Sequence, residues 1–512
     1  MKIKDILGEL PLEEVIGGAE AEITAVTYDS RQVGPGSLFV AMRGLRADGH
    51  DFIAEAVARG AAAVVVEEPS PAPAGVPQLV VADSRRALAA AAAAFFGHPG
   101  RELRCVGVTG TNGKTTVCFL LDAIFRAAGS TTALASTVKN VVAGVERPAR
   151  LTTAEAPEVQ ALLREAATAG ADVAVVEVSS HALALSRVAG IPFAAAVFTN
   201  LSHDHLDLHG DMASYFAAKA SLFEGLADGA PAVINVDDDY GRELAASFEG
   251  RKVTYGEKSG TCDYRATAAS SGWDGLAFAL TGPDGATVNV ASPLRGSFDV
   301  LNCTAAFAAA RELGVSAETA RKGIAAMTAV PGRLETVDVN DNLRVVIDYA
   351  HSPDSMEKAL AEVRKLSPAR MVVVFGCTGD RDAKKRPVMG ELALRYGDYV
   401  VVTTDDPYYE EPAAIAREVE AGIVAAGGSA PADYRVILDR GEAVRFALAS
   451  AEGDVPTVVA ILGKGHEEVQ KVKGREIPYN DRRTVEAVVA EPNPGRAAPP
   501  AARAESGRNA KL

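Results

Sequence analysis

The stretch Gly107 to Thr116, GVTGTNGKTT, limits this chain more than any other. An apolar run, Cys105 to Val108, precedes it and reads as a buried strand, and VCFLLDAIFRAAG behind it has the apolar period of a helix. Glycines at a strand-to-helix turn let backbone N–H groups close on an anion, and the helix N-terminus adds a favourable dipole. The loop places Gly110, Thr111, Asn112, Gly113, Lys114, Thr115 and Thr116 around such an anion. Lys114 is expected to reach the outer phosphates of ATP, and the Thr115 hydroxyl to sit on Mg²⁺. The common phosphate-loop pattern has a glycine six residues before the lysine, and that position is Val108 here. The bland reading is a Gly/Thr-rich turn with an exposed lysine. The order of strand, glycines, lysine and threonines favours ATP.

A turn of this kind demands alternating strands and helices, and the rest of the chain supplies them. An α/β fold is expected, and 512 residues suggest about three domains. Residues 1–97 read as a small α/β substrate domain ending at the Gly97 to Gly100 turn, GHPG. Residues 98–331 read as a central P-loop ATPase-like parallel sheet, with strands at ADVAVVEV, AAAVFTN and PAVINV. Residues 332–490 read as a C-terminal Rossmann-like α/β domain, with strands at LRVVIDYA, RMVVVFG, YVVVTT and TVVAILG. The tail 491–512 is proline-rich and poor in apolar residues, and is expected to be disordered. A net charge of −15 with no basic stripe argues against nucleic acid as a partner. Five scattered cysteines fit a reducing compartment. No apolar run approaches the ~18 residues of a membrane helix, and MKIKDILGEL lacks the apolar core of a signal peptide. A cytoplasmic protein without membrane insertion, acting as a monomer, is the expectation.

Polar clusters fall at strand ends, where α/β sheets bind ligands. Asp29-Ser30-Arg31 could present a hydroxyl and a cation to a phosphorylated ligand, or could be a turn capped by Ser30. Six of the eight histidines lie in such clusters, and Asn200 to His209 is the densest of them. With Glu177 on a neighbouring strand end and the ATP loop, this cluster favours Mg²⁺ over zinc. Lys219 sits among alanines in an apolar helix, and sequence alone favours a surface lysine whose stem lies along apolar ground. Further on come Asp348-Tyr-Ala-His351, Asp380-Arg-Asp382, Lys384-Lys-Arg386, Asp405 to Glu411 and Gly463 to Glu467. Together they suggest a second face for nucleotide and an amino substrate, with cations for phosphate and carboxylates for an ammonium.

The motifs DSR, GPGSLFVA, DGH, GTNGKTT, LTT, EVSSHAL, TNLSHDHLD, AAKASLF, PGRLE, DYAHSPD, GDRDAKKRP, DDP and GKGHE follow one another over residues 1–490. In this order they resemble the Mur ligases of peptidoglycan synthesis. Within that family the chain is similar to those that add the third peptide residue to UDP-N-acetylmuramoyl-L-alanyl-D-glutamate. The resemblance implies an ATP-dependent amide ligation through an acyl phosphate on the D-glutamyl γ-carboxylate. It implies that Lys114, Glu177, His205 and Lys219 are catalytic, with Thr115, Glu177, His205 and a carbamylated Lys219 serving Mg²⁺. Asn302, Arg333, Asp348 and His351 match positions around ATP, and Ser30, Thr152, Thr153, Ser179 and Arg187 match those gripping the uridine nucleotide. Asp405, Asp406, Pro407, Tyr408, Gly463 and Glu467 match the amino-acid site. Two positions depart from the family: Asp299 replaces an asparagine, and Tyr408 replaces the arginine with which diaminopimelate-adding members grip a carboxylate. A tyrosine cannot form that bidentate charged pair. Asp406, Glu410 and Glu411 add negative charge suited to a side-chain ammonium, so L-lysine or L-ornithine is expected, with meso-diaminopimelate as the alternative. More remote readings are a folate-extending glutamate ligase and a non-catalytic nucleotide-binding partner. The first lacks the DSR and DGH stretches of the N-terminal region. The second would have no use for the set Lys114, Glu177, His205 and Lys219.

Overall fold

The computed structural model describes residues 1–44, 47–70, 75–204, 206–451 and 455–491, with nothing of the Asp207 side chain. His205 and the tail from 492 lie outside the described residues. Backbone contacts divide the chain into two compact units. The first holds residues 1–269, 277–292 and 298–327, and the second holds 270–276, 293–297 and 328 onward.

In the first unit, strand Arg104–Thr109 runs between Val173–Glu177 on one side and Phe193–Phe198 on the other, parallel to both. Thr132–Ala135 extends the parallel sheet beyond Val173–Glu177, and Ala232–Asn235 and Lys252–Gly256 extend it beyond Phe193–Phe198. Near-continuous apolar runs make these strands, because both faces of a parallel sheet are covered. From Arg104–Thr109 the chain builds four strands to one side, two of them parallel to it, then crosses to the other at Phe193–Phe198. The carboxyl end of Arg104–Thr109 is therefore the topological switch point, where open α/β sheets bind ligands. Val108 pairs in register with Glu177 and Val197 and is fully buried, so the strand runs on to Thr109. A glycine has no task at that position.

Edge strands widen this sheet to eleven. Lys139–Val142 and Val145–Pro148 lie at one edge, and Tyr264–Gly272, Gly275–Thr281 and Thr287–Ser292 at the other. A five-stranded sheet precedes it in the chain, in the order Leu12–Ile16, Gln78–Val81, Ala61–Val66, Ser37–Val40 and Ala25–Thr27, parallel except for the first strand. Helix Ser84–Phe95, the alanine-rich run, packs its buried alanines on this sheet. The turn after it is tied down by Arg164 of helix Ala156–Thr168, whose guanidinium donates to the carbonyls of Phe96 at 2.7 Å and Gly97 at 2.9 Å.

The second unit is built on six strands in the order Glu335–Asn340, Leu343–Asp348, Thr457–Leu462, Arg370–Phe375, Tyr399–Val402 and Tyr434–Val436. Only Glu335–Asn340 runs antiparallel to its neighbour. A two-stranded ribbon, Val469–Val472 with Arg475–Pro478, stands beside them. At the ends of helices Arg440–Ala451 and Asp481–Ala490 a fully buried ion pair joins Arg440 to Asp481 through two 2.9 Å bonds. The Arg440 guanidinium also donates to the Leu462 carbonyl at 2.9 Å. Removing one partner of such a pair strands a charge in the core. Asp481→Ala should therefore cost the second unit about 3–5 kcal/mol. Urea unfolding followed through Trp273, the single tryptophan, which packs on this unit's core, reads the loss. An unchanged midpoint would show that the pair does not hold the helix.

Candidate active site

The loop after Arg104–Thr109 turns through Gly110 and Gly113, both at positive φ (144° and 87°). A Cβ at Gly110 would collide with the Thr199 hydroxyl, and one at Gly113 with the Asn302 side-chain oxygen. Glycine is needed at both for conformation and for space. Helix Lys114–Ala127 starts here, with Gly113 as its N-cap. The end of Phe193–Phe198 props the loop. The Asn112 amide donates to Asn200 Oδ1 at 3.0 Å, and the Asn112 carbonyl accepts from the Thr199 hydroxyl at 2.6 Å. Asn302 is buried and donates to Asp299 Oδ1 at 2.8 Å, which orients its side chain beside Gly113.

Two lysines converge on the loop's inner carbonyls. Lys114 Nζ donates to the carbonyls of Gly110 at 2.9 Å and Thr111 at 2.8 Å, and Lys219 Nζ donates to Gly110 at 2.7 Å. Lys219 is 1% exposed, which corrects the surface reading: it lies on the buried face of helix Met212–Glu224 with Tyr215, Leu222 and Phe223, while the neighbouring Ala217 is exposed. Its ammonium lies 4.7 Å over the Tyr215 ring, and the Tyr215 hydroxyl is 3.1 Å from that of Thr111. Burial, reinforced by the Lys114 charge, pushes the Lys219 amine well below the usual lysine range.

Glu177 ends its strand beside this turn and is buried. Its carboxylate accepts from the Thr115 hydroxyl at 2.9 Å, the Thr137 amide at 2.8 Å and the Thr137 hydroxyl at 3.0 Å. The Thr137 and Thr152 hydroxyls also lie 3.0 Å apart, where Thr137 can accept from Thr152. Thr153 donates to the Glu177 carbonyl at 2.7 Å and accepts from the Ser179 amide at 3.1 Å, and Ser179 caps helix Ser180–Ala184. Arg187 pairs with Glu155 at 2.6 Å and donates to the Thr153 carbonyl at 3.0 Å. The expected nucleotide-substrate residues Thr152, Thr153, Ser179 and Arg187 thus form one network with Glu177. Ser30 lies in the short turn Ser30–Gln32, and it is not the cap: Asp29 is, accepting from the Arg31 amide while pairing with the Arg31 guanidinium at 2.8 Å.

In the second unit Asp348 accepts from the Leu334 amide at 2.7 Å and the Ala350 amide at 2.8 Å. Arg333 lies 5.0 Å over the Tyr349 ring, and His351 Nδ1 is 2.8 Å from the Tyr349 carbonyl. These three groups gather at the end of Leu343–Asp348. Asp405 and Asp406 follow Tyr399–Val402 and are buried. Asp406 accepts from Lys464 Nζ at 2.7 Å and the Lys471 amide at 2.9 Å, and Lys464 also pairs with Glu467. Gly463 packs against the Asp405 carboxylate, where a side chain would not fit. Tyr408, after Pro407, adopts φ 48° and bridges to Val472, with the Arg381 guanidinium 5.8 Å from its ring.

This geometry corrects the charge argument drawn from the sequence. Glu410 is bound by Arg386 and by the Asp380 amide, and Asp406 by Lys464, so neither is a loose negative charge awaiting a substrate ammonium. Arg386 itself is 1% exposed and held by Glu410, Glu418 and the Thr378 carbonyl, which makes it a structural cation and no phosphate ligand. Sequence reasoning passed over Thr137, whose Glu177 partner lies 40 residues away, and named the Gly463 to Glu467 stretch without giving Lys464 a role, since its Asp406 partner lies 58 residues away. Nothing local marks Thr137.

Set beside known proteins, the chain matches three domains in order. They are the Mur ligase family catalytic domain over residues 22–96, the Mur ligase middle domain over 108–310, and the Mur ligase glutamate ligase domain over 332–465. It is 43% identical over 500 residues to the UDP-N-acetylmuramoyl-L-alanyl-D-glutamate–2,6-diaminopimelate ligase of Geobacillus kaustophilus, covering 96% of this chain and all of that one. The chain belongs to the Mur ligase family. A second Mur ligase, the UDP-N-acetylmuramyl-tripeptide synthetase of a Roseiflexus species, is 42% identical over 96% of this chain and 99% of its own. Among solved structures, a diaminopimelate-adding Mur ligase superposes with a TM-score of 0.66 at 30% identity, over 96% of this chain and 98% of that one. As a Mur ligase the protein is an ATP-dependent, amide-forming enzyme of peptidoglycan synthesis.

The loop generates a direct expectation. Gly113→Ala forces a Cβ into the Asn302 side chain at a positive φ. ATP binding measured by calorimetry should weaken about 100-fold or more while the chain stays folded, given the close backbone approach a phosphate loop needs. Wild-type affinity in that variant would count against the loop as the ATP site.

Proposed function

We propose that the protein joins meso-diaminopimelate to the D-glutamyl γ-carboxylate of UDP-N-acetylmuramoyl-L-alanyl-D-glutamate in the cytoplasm, at the expense of ATP. What carries the proposal is the relative that is 43% identical along the whole chain and named for that reaction. This replaces the expectation of L-lysine or L-ornithine, whose physical basis was the supposed surplus of negative charge around Tyr408. Arg386 binds Glu410 and Lys464 binds Asp406, and the exposed Glu411 lies 4.0 Å from Lys473, while Arg381 brings a guanidinium to the Tyr408 ring. A carboxylate on the substrate side chain can pair with this arginine, which does the work expected of an arginine at 408.

The residues divide the chemistry between them. Thr152, Thr153, Ser179 and Arg187, with Ser30, hold the uridine nucleotide. A γ-carboxylate oxygen attacks the terminal phosphorus of ATP, the bond to ADP breaks, and an acyl phosphate forms. Lys114 neutralises the transferring phosphoryl group, and Asn302, Arg333, Asp348 and His351 hold the nucleotide. The amine of the incoming amino acid, bound by Asp405, Asp406, Pro407, Tyr408, Gly463 and Glu467, then attacks the acyl carbon. The C–O bond to phosphate breaks, and the amine gives up a proton. The oxygen donors of Thr115 and Glu177, 2.9 Å apart and fixed by Thr137, suit a hard cation. Mg²⁺ bound there, with His205 as a further ligand outside the described residues, would neutralise phosphate oxygens.

Lys219 is suited to carbamylation because its burial favours the neutral amine, the form that adds to carbon dioxide with loss of one proton. Lys219→Ala should abolish ligation, with partial rescue by added short carboxylates. Undiminished turnover in that variant would remove the carbamate role.

Phosphate release with each candidate amino acid tests the substrate. Turnover is expected with meso-diaminopimelate, and Arg381→Ala should raise its KM about 10- to 100-fold, the usual cost of deleting one partner of a charge pair. Efficient turnover with L-lysine or L-ornithine alone would overturn the assignment.

A further inference from the structure

Lys464 is 0% exposed, on the turn after Thr457–Leu462, in the middle of a cluster of carboxylates. Its ammonium donates to Asp406 Oδ1 at 2.7 Å and to Glu467 Oε2, and Asp405 lies close enough to act on its charge. The other Glu467 oxygen, Oε1, is 3.5 Å from the Tyr349 hydroxyl, and the Glu467 side chain keeps 28% exposure. Glu467 is thus held firmly through Oε2, while Oε1 has only the long contact to Tyr349 and the side chain stays partly exposed. Asp406 has the opposite arrangement: Lys464 and the Lys471 amide both take Oδ1, and the side chain is only 4% exposed.

Burying carboxylates together is costly unless a cation compensates them. Burial pushes the Asp405 and Glu467 carboxyls above the usual range, and in both cases the Lys464 charge pulls them back. Lys464 is the one lysine paired with both Asp406 and Glu467 among the described ion pairs. Arg440 also acts on Asp405 but is itself paired with Asp481, so Asp405, Asp406 and Glu467 outnumber the Lys464 ammonium and leave negative charge for one substrate ammonium.

We propose that Lys464 is a positioning residue for the incoming amino acid: it holds Asp406 as structure and aims the Glu467 carboxylate, ionised, at the substrate ammonium. This rests on reading the cluster as the amino-acid site. A purely structural lysine would affect all substrates and the fold alike. A positioning lysine affects the amine alone, because the amino acid is the substrate that meets Glu467.

The test measures KM and kcat for ATP, the uridine nucleotide and meso-diaminopimelate in Lys464→Met, Glu467→Gln and the double variant, with hydroxylamine trapping of the acyl phosphate in the absence of amino acid. Lys464→Met should raise KM for the amino acid about 10- to 100-fold, the effect of truncating one partner of a buried charge pair. The other two KM values should stay within about twofold and trapping should persist, while the double variant should be no worse than Glu467→Gln alone. Parallel rises in all three KM values, or additive effects in the double variant, would overturn the proposal. Should Lys464→Met not fold, Glu467→Gln decides: an amino-acid KM unchanged in it equally overturns the proposal. Failure of the underlying reading has a separate signature, namely wild-type enzyme that forms the trapped acyl phosphate but ligates none of the three diamino acids.

Discussion

The carbonyl of Gly110 accepts hydrogen bonds from two lysines, at 2.9 Å from Lys114 and 2.7 Å from Lys219. Two ammonium groups sharing one oxygen repel, and the deeper of the two is the one whose charge is suppressed. Much of the first unit serves to hold that carbonyl in place. Strand Arg104–Thr109 runs to Thr109 with Val108 locked between two neighbours, Gly110 turns where only a glycine clears Thr199, and Thr199 and Asn200 grip the far side of the loop. Tyr215 then covers the Lys219 ammonium with its ring and ties its hydroxyl to Thr111.

The second unit deals with buried charge in another way. Lys464, Arg386 and Arg440 are each enclosed by carboxylates: Asp406 and Glu467, Glu410 and Glu418, and Asp481. Pairs of this kind give little net stability compared with apolar packing, yet they penalise any arrangement in which a partner is missing. They fix the loops at the ends of the strands in a definite geometry.

The sequence made the parallel sheets legible because continuous apolar runs such as VAVV, MVVVF and TVVAIL have few alternatives, and the ATP loop was legible because its residues are contiguous. What sequence spacing could not reveal was burial and pairing. Lys219 among alanines looked like a surface lysine, since an apolar helix does not say which of its faces is enclosed; the structure leaves it 1% exposed. Glu410 and Asp406 looked like charges free for a ligand, since Arg386 and Lys464, which neutralise them, stand 24 and 58 residues away in the chain. The mixed edges of the central sheet from Tyr264 to Ser292 went unassigned because their alternating, half-exposed residues carry weaker signals than buried parallel strands.

The failed charge count at Tyr408 carries a general point about reading specificity in this family. A motif compares one residue with one residue, but an ion reads the sum of charges within about a Debye length, ~8–10 Å. Around Tyr408 that sum includes Arg381 at its ring, Glu410 already bound to Arg386, and Asp406 already bound to Lys464. Replacing an arginine by a tyrosine in the motif therefore removes one guanidinium from the backbone position while another, from a different loop, stands over the same ring. A guanidinium can reach the same ring without the motif arginine when a neighbouring strand end supplies it, as the loop after Arg370–Phe375 does with Arg381.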